Sequence, residues 1–168
     1  LTSVPTMVVS GQDREFDESG AHRILVPTNG RRSASAAAEA AFALAQDGHA
    51  SVIVANVVPE EHTMYSETRG TEVEERRRLA GQQAVDEVVT LGREWGVRVD
   101  GYLLGGESIS DSLRAFAEEQ QASMILLGTD VRAGSLRLAL GRRVEELIED
   151  APCPVVVVNA PDVPVGRE

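Results

Sequence analysis

The sequence contains no lysine, because all 16 of its basic residues are arginines. This absence excludes a P-loop lysine on a nucleotide phosphate, a Schiff-base lysine and the strand lysine of protein kinases. Cys153 is the one cysteine, which rules out a disulfide within the chain and favours a reducing compartment, the cytoplasm. No apolar run approaches the roughly 20 residues that span a bilayer, so a membrane-spanning helix is not expected.

Positive charge is also scarce. The formal net charge is −11 and the pI is about 4.7, which argues against nucleic acids and anionic membranes as partners. Aromatic residues make up 4% of the chain, so the core is expected to be aliphatic. Two explanations of the acidic, lysine-free composition stay open: a salt-rich, halophile-like cytoplasm, or the codon bias of a high-GC genome.

The pattern of apolar residues predicts an α/β domain. Strands are expected at 22–27, 50–58, 97–104, 123–127 and 154–159, and helices at 33–47, 71–94, 110–121 and 136–150. Such alternation predicts a doubly wound, three-layer sandwich with a five-stranded parallel sheet, whose ligands bind at the carboxyl ends of the strands. Ser33 is expected to cap the first helix, and Thr71 with Glu74 forms a capping-box pattern for the second. The polar residues 59–70 are expected to form a loop.

The beginning of the chain has a strand-like pattern of its own. Residues 4–10 (VPTMVVS) resemble residues 153–159 (CPVVVVN), and the polar residues 11–21 after them are typical of a linker. Two interpretations stay open: residues 1–10 are the last strand of a preceding, similar domain, or they form a plain edge strand. The main domain is expected over 22–160 and a tail over 161–168.

Three segments in order carry a specific set of motifs. The first strand and its turn, 24–31, have the sequence ILVPTNGR, and the final strand, 151–158, has the sequence APCPVVVV. Between them the segment 128–142 has the sequence GTDVRAGSLRLALGR. Together these segments resemble the universal stress protein family, whose fold is the adenine-nucleotide alpha-hydrolase-like sandwich. The family's nucleotide-binding signature, G-x2-G-x9-G-(S/T), falls by its spacing on Gly128, Val131, Gly141 and Arg142.

The resemblance implies a regulatory, stress-response domain without catalytic activity. Members of the family commonly form homodimers, here implied through the last strand, Pro154 to Asn159. Some members bind ATP or AMP and others bind no nucleotide, and some are soluble domains fused to membrane transporters. The implied partners are therefore a second copy of the chain and an attached transporter, with no nucleic acid.

The resemblance also assigns candidate nucleotide-binding residues. Adenine and ribose are assigned to the end of the first strand and the second strand: Pro27, Thr28, Asn29 and Val57. The phosphates are assigned to the loop after the fourth strand and the helix start: Gly128, Val131, Arg132, Gly141, Arg142 and Arg143.

Three of these residues depart from the family's binding pattern. Asn29 stands where an aspartate is usual, Val131 replaces a glycine, and Arg142 replaces a serine or threonine. A β-branched residue resists positive φ and places methyl groups where N–H groups would approach a phosphate. Against this, the clustered arginines suit contacts to anions, although Arg142 also has Glu145 and Glu146 at the spacing of helical ion pairs.

Two hypotheses follow from these departures. The first is a regulatory domain with a degenerate nucleotide site, in one form the cytoplasmic part of a membrane transporter. The alternative is a stand-alone sensor that binds an adenine nucleotide or another anion. No catalytic or metal-binding residues are predicted. The three histidines, His22, His49 and His62, lack the spacing of metal ligands, and Cys153 has no recognisable catalytic partner.

Overall fold

The computed structural model describes residues 7–10, 22–47, 50–60, 67–130 and 142–160. Six strands and four helices lie within these ranges. The strands are β1 (Met7–Ser10), β2 (Arg23–Pro27), β3 (Ser51–Pro59), β4 (Val99–Gly106), β5 (Met124–Asp130) and β6 (Val155–Ala160). The helices are α1 (Arg32–Asp47), α2 (Glu67–Glu94), α3 (Ile109–Glu119) and α4 (Arg142–Glu149).

The strands form one sheet in the order β1-β6-β5-β2-β3-β4. The last five of these are mutually parallel, as predicted, and β1 adds a sixth strand that is antiparallel to β6. Strand order reverses between β2 and β5, which are direct neighbours through Leu25 and Ile125. A ligand site is therefore expected where these two strands end.

Helices cover both faces of the sheet, which confirms the predicted three layers. On one face, Phe42 of α1 and Val85 of α2 pack against β-branched residues such as Val52. On the other face, Leu113 of α3 and Leu147 of α4 complete a second cluster. Successive residues of a strand point to opposite faces, so the uninterrupted apolar runs of the strands supply both clusters at once.

The second helix is longer than predicted. It begins at Glu67, so residues 67–70 are helical rather than loop, and Thr71 lies inside the helix rather than at a capping box. Every side chain from 71 to 80 is exposed, so no apolar period reaches the start of the helix, and the start was predicted from the capping-box pattern alone. Its glutamates and arginines are good helix formers without a buried face. The remaining residues of the predicted loop, 61–66, lie outside the described ranges.

Other boundaries differ by a few residues. Helix α1 begins at Arg32, so Ser33 lies in its first turn instead of capping it. Strands β4 and β5 continue to Gly106 and Asp130, because both remain in register with their neighbours past the last large apolar residue. Ser108 caps α3 by accepting a hydrogen bond from the backbone N–H of Asp111.

No helix in the described part of the chain is long and apolar enough to cross a membrane.

Candidate functional site

The carboxyl ends of β2 and β5 meet at a cavity of about 210 Å³. Its wall includes five of the residues assigned to the nucleotide: Pro27, Thr28, Asn29, Val57 and Gly128. The neighbouring helices α3 and α4 close the opposite side. The structure therefore brings the adenine and ribose candidates together with the first residue of the phosphate motif.

The turn after β2 is fixed by hydrogen bonds to β3 and by one within the turn. The backbone N–H of Thr28 donates to the carbonyl of Ala55 at 2.9 Å, and the Asn56 amide donates to the Thr28 carbonyl at 2.7 Å. Asn29 Oδ1 accepts from the N–H of Arg31 at 3.0 Å, which closes an Asx turn. An aspartate could accept the same bond, so Asn29 keeps the turn-forming role while removing a negative charge.

Gly128 lies where α1 approaches the end of β5. A Cβ added to this residue would clash with the carbonyl carbon and oxygen of Ser33 and would lie 2.8 Å from the Ala34 nitrogen. These are backbone atoms of the first helical turn, which cannot move aside as a flexible side chain could. A glycine is therefore required here by packing, independently of any phosphate.

Arg142 lies at the first turn of α4, outside the cavity. Its Nε is 2.8 Å from Glu146 Oε1, and its side chain is 90% exposed. The predicted pairing of Arg142 with a carboxylate one turn later is therefore confirmed for Glu146. Such an exposed pair at i,i+4 contributes only a few tenths of a kcal/mol to stability.

The carboxylate of Glu146 also contacts a residue of the cavity wall. Ser110, whose side chain lies at the cavity wall, donates to Glu146 Oε2 at 3.3 Å. Its hydroxyl is also 3.1 Å from the hydroxyl of Ser108. These residues, with Arg142 and Glu107, line a groove of about 340 Å³ beside the cavity. Two carboxylates and one arginine thus border the groove.

Comparisons with known proteins agree with this geometry. The model of the Universal stress protein family matches residues 20–159. The chain belongs to the universal stress protein family. A universal stress protein of Methanocaldococcus jannaschii is 31% identical over 141 residues, which cover 83% of this chain and 82% of the relative.

Solved structures of universal stress proteins share the fold. One from Burkholderia pseudomallei is 28% identical, with a TM-score of 0.68 over 82% of this chain and 96% of that one. One from Arabidopsis thaliana, solved with AMP bound, is 14% identical, with a TM-score of 0.63 over 84% of this chain and 93% of that one. The predicted family and the predicted five-stranded parallel fold are both confirmed.

The structure does not describe the side chains of the other residues assigned to the nucleotide in this universal stress protein domain. Val131, Arg132 and Gly141 lie outside the described residues, and Arg143 is described only as a backbone position of α4. Their roles stay predictions.

Several cavity residues could not be assigned from the motifs. Ile109, Leu113 and Leu147 form apolar wall, and Ser110 and Asn56 supply polar groups. The sequence marks Leu113 and Leu147 only as residues on the apolar faces of two amphipathic helices. That pattern does not distinguish a cavity wall from ordinary core.

Metal binding was not expected from the sequence. Within the described ranges, no group of three or more His, Cys, Asp and Glu side chains is placed to hold a metal ion. His49 and His62 lie outside those ranges.

Proposed function

We propose that this universal stress protein domain is regulatory, and that its nucleotide site has kept the adenine side and lost much of its phosphate side. The observation that carries the proposal is the cavity at the ends of β2 and β5, together with the engagement of Arg142 by Glu146. The two sides of the site are supported by different residues.

The adenine side has the features of a small-molecule site. Apolar side chains such as Val57, Leu113 and Leu127 surround the cavity, and Asn29 and Ser110 bring polar groups to it. Ligand sites commonly combine an apolar lining with a few placed polar groups in this way. The turn of Thr28 and Asn29 is held by backbone and side-chain hydrogen bonds, so this wall is formed before a ligand arrives.

The phosphate side is weakened by both sequence and geometry. Val131 occupies the place of a glycine, where a β-branched residue disfavours the positive φ of an N–H cradle. Arg142 replaces a hydroxyl residue, and its guanidinium is already paired with Glu146. Glu107 borders the same groove, so a phosphate entering there meets negative charge as well as the arginine. Each lost hydrogen bond to a charged phosphate costs about 1.5–3 kcal/mol of binding free energy.

A second candidate function is an adenine-nucleotide or anion sensor. The retained cavity favours it, as does the AMP in the related protein from Arabidopsis thaliana. In this alternative, Arg142 leaves Glu146 and contacts the anion. The sensor's ligand is AMP, ATP or another anion, held through its negative charge, whereas the degenerate site of the first candidate has lost most of that contribution.

Nucleotide titration separates the two candidates. In the intact chain, millimolar ATP with magnesium is expected to leave the melting temperature unchanged. The double variant Val131→Gly/Arg142→Ser is expected to gain ATP binding, because it restores the cradle and the hydroxyl. At ligand about 100 times the dissociation constant the stabilisation is about 2.7 kcal/mol, a melting shift of roughly 5–10 °C. Thermal unfolding with ATP and with AMP, followed by calorimetric titration, measures this gain.

The matched control for this test is Arg98→Ser, which removes another exposed arginine that pairs with a carboxylate, Asp100. It should bind nucleotides as the intact chain does. Equal ATP affinity in the intact chain and the double variant would contradict the degenerate site. If the intact chain binds ATP and Arg142→Ser alone abolishes the binding, the sensor is favoured.

The regulatory role in this proposal needs a partner. We include attachment to a membrane transporter, with the domain on its cytoplasmic side, because the sequence of residues 4–10 resembles that of the last strand, 153–159. A natural reading frame that encodes membrane spans beside these residues would support the attachment. One that encodes these residues alone would contradict it.

A further inference from the structure

Strand β1 occupies the outer edge of β6. The two strands are antiparallel, and their paired residues are Met7 with Val158, Val8 with Val157, Val9 with Val156 and Ser10 with Val155. An uncovered sheet edge presents unpaired N–H and C=O groups that can pair with another chain. The edge of β6 is therefore a pairing surface that is already filled.

The sequence of the occupying strand is close to that of β6 itself. When residues 4–10 are aligned with residues 153–159, Val8 corresponds to Val157. Val8 is also the residue that pairs with Val157 in the sheet. A second copy's β6, placed where β1 lies and in the same register, would pair Val157 with its own equivalent. That arrangement is two-fold symmetric, as an isologous interface between identical chains requires.

We propose that β1 stands in for the β6 strand of a second copy of this chain. The edge of β6 is then an interaction surface for the same edge of another molecule, closed while β1 is bound and open when β1 leaves. The inference does not depend on nucleotide binding. It also determines when the homodimer predicted through Pro154 to Asn159 can form, because β1 and a partner strand compete for one edge.

The competing ladders differ in length. Strand β1 pairs with Val155 to Val158, whereas β6 continues to Ala160. A second β6 centred on Val157 could also pair Asn159 with the partner's Val155. The advantage of β1 is its tether, which gives it an effective concentration in the millimolar range. At micromolar protein the intramolecular pair is therefore favoured.

The chain connection permits β1 to pair within its own molecule. Because β1 is antiparallel to β6, it ends at the side of the sheet where β6 and β2 begin. Three strand spacings of about 4.8 Å separate β1 from β2, a distance of roughly 14 Å. Residues 11–22 could span up to roughly 40 Å when extended.

Releasing β1 tests the proposal. The variant Val8→Pro/Val9→Pro removes two adjacent N–H groups, one of which faces β6, and so breaks the ladder. By size-exclusion chromatography with light scattering, the intact chain should be a monomer at micromolar concentration. The variant should dimerise with a dissociation constant at least about tenfold lower. The matched control, Thr2→Pro/Ser3→Pro, lies outside β1 and should behave as the intact chain. A variant as monomeric as its control would overturn the proposal.

Disulfide trapping tests the register independently. In a Cys153→Ala background, Val8→Cys/Val157→Cys should form a disulfide within one chain, since directly opposite residues of antiparallel strands lie about 4.5–5.5 Å apart between Cα atoms. Val157→Cys combined with Val8→Pro/Val9→Pro should instead give a covalent dimer. Non-reducing electrophoresis distinguishes the two products. A covalent dimer from the first variant, or none from the second, would overturn the proposal.

Discussion

Replacing Gly128 by alanine is expected to lower the free energy of unfolding by about 3 kcal/mol, at the upper end of what overpacking a well-packed site costs. The added methyl group would meet the Ser33 carbonyl, so α1 and β5 must separate. Since Gly128 also lines the cavity, the substitution should distort the site as well as the core. Chemical denaturation measures the change, and the melting temperature should fall by roughly 6–12 °C.

Gly105→Ala is the matched control for this substitution. Gly105 is also a strand residue near the carboxyl end of the sheet, but a Cβ there would meet only the carboxylate end of Glu60, at 2.9 Å. That side chain is exposed and can turn away, so the loss of stability should stay below about 1 kcal/mol. Equal losses in the two variants would show that the contact between α1 and β5 is not as tight as the structure indicates.

Phe42→Ala is expected to lower the free energy of unfolding by about 3–5 kcal/mol. Phe42 is fully buried between α1, the sheet and α2, and its ring centroid is 6.0 Å from that of Trp95. Close-packed neighbours relax only partly into the space that a removed ring leaves, so the variant loses buried apolar contacts and retains a cavity. Urea unfolding measures the loss, and the near-ultraviolet signal of Trp95 should change because its aromatic neighbour is removed.

The control for Phe42→Ala lies two residues along the same helix. Leu44 is 46% exposed, so Leu44→Ala removes apolar surface that is largely in water already and should cost less than about 1 kcal/mol. A loss of stability in Phe42→Ala no larger than in Leu44→Ala would contradict the packing of α1 on the sheet.

The fold was largely predictable because the strands have a distinctive sequence. Runs such as 52–54 and 155–158 are β-branched and apolar on both faces, which only a sheet covered on both sides accommodates. Alternation with alanine-rich and amphipathic helices then fixes the class of fold. Residues 67–70 of α2 were expected to be loop because the capping-box pattern of Thr71 and Glu74 placed the start of the helix at Thr71.

The site was predictable only where motifs mark it. Pro27 to Asn29 and Gly128 meet as expected, since parallel strands end at the same side of the sheet. The contact between Ser110 and Glu146 joins two helices far apart in sequence, and no local pattern reveals such a pair. Arg142 could be given two partners from the sequence, a phosphate or a carboxylate, and the carboxylate is the partner in this structure.

The packing of Gly128 against α1 bears on how nucleotide motifs are used to infer function. A motif search counts this glycine as evidence of a ligand, yet the backbone of Ser33 excludes any larger residue there. Selection for folding alone would then preserve the glycine in descendants that no longer bind nucleotides. A position such as Arg142, whose side chain is 90% exposed, is not constrained by packing in this way. Such positions are free to change when binding is lost, and they are the more informative part of the motif.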